Sequence, residues 1–147
     1  MRGTYEATAS IEVAADVAAV WRALTDPQIV KQYFFGTEVE SDWKKGGKIY
    51  FRGSWEGKSY EDKGTILEID PPRLLKFSSW SSLSGTEDLP ENYANVAYHL
   101  TTANGRTRLT IRQDNVATEE AKDHSAANWK MVLEGLKAVV EGGAVTE

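Results

Sequence analysis

The chain has 147 residues, 41% hydrophobic and 27% charged, with a net charge of −5 and no cysteine. That is the length of one ordinary domain, able to bury roughly 70% of its unfolded surface without covalent staples. The missing cysteine excludes disulfide scaffolds, thiol nucleophiles and thiolate metal sites, and an acidic chain with no basic cluster beyond Lys44 and Lys45 is a poor match to nucleic-acid phosphates.

Thr4 to Val13 alternates, with Tyr5, Ala7, Ala9, Ile11 and Val13 on one face and Glu6, Thr8, Ser10 and Glu12 on the other. A period of two predicts a half-buried strand. The acidic residues here, Glu6, Glu12 and Asp16, break the basic-then-apolar order of a signal peptide. Asp16 opens a helical pattern through Val17, Val20, Trp21 and Leu24, stopped at Thr25-Asp26-Pro27. Asp26 is placed to cap a second short helix with Pro27 at its first position, carrying Ile29, Val30 and Tyr33. Tyr33, Phe34 and Phe35 follow one another, and three adjacent rings cannot all point inward, so one is expected at the mouth of any pocket.

Six strands are predicted next. Thr37 to Trp43 leads into a Lys44–Gly47 turn, and Lys48 to Trp55 sets Ile49, Phe51, Gly53 and Trp55 on one face before a short hairpin at Glu56-Gly57. Lys58 to Ile69 ends at Pro71-Pro72, and Arg73 to Trp80 carries Leu75 and Phe77. Residues 81–92 read as a long loop. Tyr93 to Ala103 and Arg106 to Asp114 flank Asn104-Gly105, a turn pair that tolerates positive φ at both positions. With hairpins joining neighbours, the sheet should be mostly antiparallel.

Thr118 is a candidate N-cap for a helix running to about Val140, ended by Gly142-Gly143 and followed by a short tail at 143–147. On a helical wheel Lys130, Glu134, Lys137 and Glu141 share one narrow stripe. Trp129, Met131, Val132, Leu133, Gly135, Leu136, Ala138, Val139 and Val140 fill roughly 200° of the remainder, wider than the ~100° stripe of a helix lying on a core. Such a helix suits a curved sheet that grips it; a homodimer would be another way to cover the surplus. The expected fold is therefore α+β, a curved antiparallel sheet around a long C-terminal helix, spanning 1–147 as one domain. Asn128 and Gly135 interrupt the arc: Asn128 as a core amide or a pocket-lining group, Gly135 as a close contact with a ring such as Phe77 or Trp55, or as room for a ligand.

The element order, the segment Val20-Trp21-Arg22-Ala23-Leu24-Thr25-Asp26-Pro27, the Gly46-Gly47 turn, the stretch from Gly64 to Arg73 and the helix bearing Trp129 resemble the SRPBCC superfamily, also called START-like or birch-pollen-allergen-like, and within it the heat-shock protein 90 ATPase activator homologue-like branch. The resemblance implies a helix-grip fold with a mostly apolar cavity between sheet and long helix. It implies binding of lipids, sterols or polyketides, cyclisation or aromatisation of polyketides, or contact with a chaperone. The eukaryotic activators carry a separate N-terminal domain on which chaperone activity depends, and a chain opening on the first helix-grip strand is expected to lack that role.

For a cavity ligand, Trp43, Trp55, Phe77, Tyr98, Asn128, Trp129, Val132 and Gly135 are the candidate lining residues, placed there by alternation, strand end or wheel position. Apolar walls with few polar groups suit a small hydrophobic or aromatic molecule. Glu68 is the candidate catalytic carboxylate if it shares the inner face with Gly64 and Ile66, because an apolar site would raise its pKa; if Leu67 and Ile69 face inward instead, Glu68 meets water. His99 and His124 are not at metal-ligand spacing and are read as surface residues, so no metal and no cofactor is expected. No nucleophile elbow or phosphate loop appears. With no apolar run near the ~20 residues of a membrane span, the cytoplasm is the expected compartment.

Overall fold

The structure, a computed structural model, describes residues 4–34, 36–55, 57–81 and 87–142, with Trp55 described by its backbone alone. Phe35, Glu56, the Trp55 side chain, residues 82–86 of the expected loop and the 143–147 tail lie outside the described residues. The elements run β1 (Tyr5–Val13), α1 (Val17–Thr25), α2 (Pro27–Tyr33), β2 (Glu38–Ser41), β3 (Lys48–Trp55), β4 (Lys58–Asp70), β5 (Leu74–Ser81), β6 (Ala94–Ala103), β7 (Arg106–Val116) and α3 (Glu119–Glu141). A 3-10 turn at Pro90–Asn92 precedes β6.

Each helix starts at the cap its sequence supplies. Asp16 Oδ1 accepts from Ala19 N at 2.9 Å, Asp26 Oδ1 from Gln28 N at 2.9 Å, and Thr118 Oγ1 from Ala121 N at 3.0 Å. Such caps are worth about 1 kcal/mol each. Glu119 and Glu120 add negative charge to the first turn of α3, where the helix dipole favours it.

All strand pairs are antiparallel, in the order β1-β7-β6-β5-β4-β3-β2. The sheet stays unclosed and curves around one face of α3, giving the α+β helix-grip fold expected from the pattern. Where β4 and β5 bend together, Gly64 is required by space: a Cβ there would lie 1.6 Å from the Ser78 carbonyl oxygen. β2 is shorter than its pattern suggests. It ends at Ser41, and Trp43 sits beyond it with φ of 57°, its N–H donating to Ser41 Oγ at 3.0 Å.

The core fills the space between the inner sheet face and the helices. Ile49, Ile66, Leu75, Phe77, Leu109 and Ile111 come from the sheet, Val20, Val30, Leu133 and Leu136 from the helices. No helix among the described residues is long and apolar enough to cross a membrane.

Candidate ligand-binding cleft

The wide apolar arc of α3 is not covered all round. Val132, Leu133, Leu136 and Val140 are buried, with Trp129 and Val139 half-buried beside them. On the wheel these span only roughly 120°, an ordinary core stripe. Ala138 and Met131 lie beyond it in solvent, Met131 at 52% exposure. The expectation of a helix enclosed over most of its circumference is corrected: small residues widened the apolar arc on paper, but the sheet closes on one side only.

Along its length the helix changes character. Its C-terminal half is fastened. Lys137 Nζ donates to the Glu12 carbonyl at 2.9 Å and pairs with Glu141 at 2.7 Å, while Glu141 Oε2 accepts from Ala14 N at 2.8 Å. Those two contacts, Lys137 first, hold the Glu141 carboxyl below its usual range. Gly135 lets α2 come close, because a Cβ there would stand 3.1 Å from Tyr33 Cβ. Its neighbour is therefore Tyr33 rather than Phe77, and no ligand space is left at this position. Tyr33 is buried, its hydroxyl donating to the Ala23 carbonyl at 2.7 Å, and burial pushes its pKa well up.

The N-terminal half stands off the sheet, and a cleft opens beneath it. Beneath it runs a closed circuit of five rings. Phe34 lies 5.6 Å from Phe51, Phe51 5.7 Å from Phe77, Phe77 5.4 Å from Tyr98, Tyr98 6.2 Å from Trp129, and Trp129 6.1 Å from Phe34. These spacings suit attractive aromatic pairs, each worth about 0.5–1.5 kcal/mol beyond burial. The Trp129 indole N–H donates to Gln113 Oε1 at 2.8 Å, fixing that ring to β7. The cleft has two overlapping lobes of about 550 and 600 Å3, which share Phe34, Phe51, Asp62, Gln113 and Trp129.

Of the residues singled out from sequence, the structure brings Phe77, Asn128, Trp129 and Val132 to this cleft. Asn128 is exposed at its edge and is not a core amide. Tyr98 is buried under the floor, against Phe77 and Trp129, and burial pushes its hydroxyl pKa up. Trp43 packs half-buried against the core outside the cleft wall, and Gly135 faces Tyr33. Of the aromatic run after α2, Phe34 occupies the cleft. His99 is exposed on the outer face, and His124, also exposed, stands on the cleft rim. No group of three or more His, Asp or Glu side chains among the described residues is placed to hold a metal ion.

The sheet decides between the two orientations open to Glu68. Gly64 and Ile66 do face inward, but the β4–β5 register shifts between Ile66 and Glu68. The extra residue of such a bulge inverts the alternation. Glu68 therefore pairs with Lys76 on the outer face, is exposed, and lines a shallow groove with His99 and Arg112. The reading with Ile69 turned toward the core is the one observed.

The carboxylate that does enter the cleft is Asp62. Before the bulge, Tyr60, Asp62, Gly64 and Ile66 share one phase, and Asp62 lies opposite Phe51 on one side and Ser81 on the other. Desolvation raises its pKa, opposed by a hydrogen bond from Ser81. Its Oδ1 is shielded from water and has no hydrogen-bond partner. Sequence reasoning passed over it; the same alternation followed four residues back from Ile66 would have found it.

The family model for "Activator of Hsp90 ATPase homolog 1-like protein" matches residues 14–141. The chain belongs to this family, a branch of the SRPBCC superfamily. Its solved structural neighbours include ChR145 from Cytophaga hutchinsonii, 43% identical, with a TM-score of 0.83 over 98% of this chain and 99% of that one. Two more distant structures share the fold. The Aha1 dimer from Colwellia psychrerythraea is 15% identical, with a TM-score of 0.74 over 94% and 97% of the two chains. DynU16, described as a putative protein in the dynemicin biosynthetic locus, is 21% identical, with a TM-score of 0.78 over 94% of this chain and 48% of that one. No curated protein matches the chain.

Proposed function

We propose that this START-like domain binds a small hydrophobic or aromatic molecule in the cleft between the sheet and the N-terminal half of α3, without covalent chemistry. The observation that carries the reading is the closed circuit of five rings under a cleft of about 550–600 Å3. A concave, largely apolar site with a few convergent polar groups is the usual form of a small-molecule pocket. Met131, exposed at the edge, gives the entrance an adaptable apolar lip.

Thermal shift and native mass spectrometry against lipids, flavonoids and polyketides test it. A true ligand at a hundred times its Kd stabilises the fold by about 2.7 kcal/mol, and its mass stays with the protein. A panel with no retained mass and no shift contradicts the reading.

Polyketide cyclase-type chemistry is the second reading, and Asp62 is the observation that favours it. A carboxyl with a raised pKa in an apolar cleft is suited to proton transfer, whereas Glu68 faces solvent. Turnover of a polyketide substrate that is lost in Asp62→Asn would support this reading; retention of the unaltered compound by the wild-type chain would remove it.

A further inference from the structure

The polar features of the cleft are unevenly signed. Among the described lining residues there is no Lys or Arg, and Asp62 is the one carboxylate. The other polar groups include Gln113, Ser81, Ser125, Asn128 and His124. Gln113 already commits its Oε1 to Trp129, and the Tyr60 hydroxyl is engaged by Thr37. Asp62 differs from these: one of its oxygens is met by Ser81, while Oδ1 is shielded and unpaired. A buried acceptor left without a partner costs about 1–3 kcal/mol, and a native structure rarely keeps one without a use. The terminal torsion of an Asp side chain is broad, so a modest rotation turns the unpaired oxygen toward the cleft.

Phe51 is the cross-strand neighbour of this carboxylate, and its ring together with those of Phe34 and Trp129 lines the same cleft. Aromatic faces attract cations, more strongly as water is excluded. A carboxylate in an aromatic-lined cleft, with no Lys or Arg among the described lining residues, complements a positive charge on an apolar body.

From this juxtaposition we infer that the cleft selects hydrophobic amines, the ligand's ammonium group meeting Asp62 and its apolar body lying on the ring floor. The inference rests on the ligand-binding reading above and narrows it. It disfavours fatty acids and other hydrophobic carboxylates, whose charge would face Asp62 with nothing to neutralise it.

The test is a matched series on the full chain by isothermal titration calorimetry: 2-naphthylmethylamine, 2-naphthylmethanol and 2-naphthoic acid. The amine is expected to bind at least tenfold more tightly than the alcohol, about 1.4 kcal/mol, and the acid not measurably. In Asp62→Asn the preference for amine over alcohol should fall below about threefold. Equal binding of amine and alcohol, or a preference that survives Asp62→Asn, overturns the inference while leaving the ligand-binding reading standing. Binding of none of the three also overturns it, and the wider panel then decides separately whether the cleft takes any ligand. The wild-type series alone is decisive should the variant not fold.

Discussion

From Leu133 onward α3 is held on every side that matters: Leu133 and Leu136 are fully buried, Gly135 meets Tyr33, and Lys137 and Glu141 tie the helix to the end of β1. From Ser125 to Val132 the same helix is held through Trp129 and Val132, and a cleft occupies the space that packing fills elsewhere. Both halves face one sheet and belong to one continuous helix. The difference teaches that the fold separates stability from the space for a ligand along a single element. The fastened end fixes the helix direction, and the open end can then stand off the sheet without collapsing onto it.

The first way to break this comparison is Leu136→Ala. Removing a fully buried side chain from the fastened end should cost about 2–5 kcal/mol, read as a lower midpoint in urea with an unchanged slope. Next is Gly135→Val, which forces branched bulk against Tyr33 and should cost about 1–3 kcal/mol; a neutral result would show that α2 is not closely packed there. A smaller effect of opposite sign is expected at the open end from Asp62→Asn. The folded-state pKa of Asp62 is raised above its unfolded value, so the wild-type chain loses stability as pH rises from about 4 through the folded pKa and keeps it below. The variant should therefore melt higher than wild type at pH 7 and at the same temperature at pH 3. The smallest change in stability is expected from Met131→Ser, within about 0.5 kcal/mol because the side chain is already exposed. The same variant should weaken retention of any cleft ligand.

Element order, all three helix caps and the antiparallel hairpins were legible in the sequence, because they depend on local patterns: Asp16, Asp26 and Thr118 cap through their nearest neighbours. What depends on non-local geometry was not. Which way Glu68 faces stays open in the sequence, because a bulge carries no residue signature on β4. Apolar residues on α3 announce what could be buried, and the sheet's curvature decides what is, so Met131 was counted in the covered arc and lies in solvent. Phe77, Trp129 and Val132 were placed by periodicity and reach the cleft wall. Tyr98 shares their inner face but lies one layer deeper, a distance that periodicity does not report. Asp62 was passed over because a charged residue in a strand rich in charges reads as solvated; its unpaired oxygen becomes visible only once Phe51 and Ser81 are set on either side of it.

The most direct test of the two-ended helix is a 1H–15N titration with the tightest-binding member of the naphthyl series. The cleft predicts shifts concentrated at Phe34, Phe51, Asp62, Gln113 and the Trp129 indole N–H, with the amides from Leu133 to Glu141 nearly still. Shifts centred on the fastened half, or on the outer face around Glu68 and His99, would contradict it.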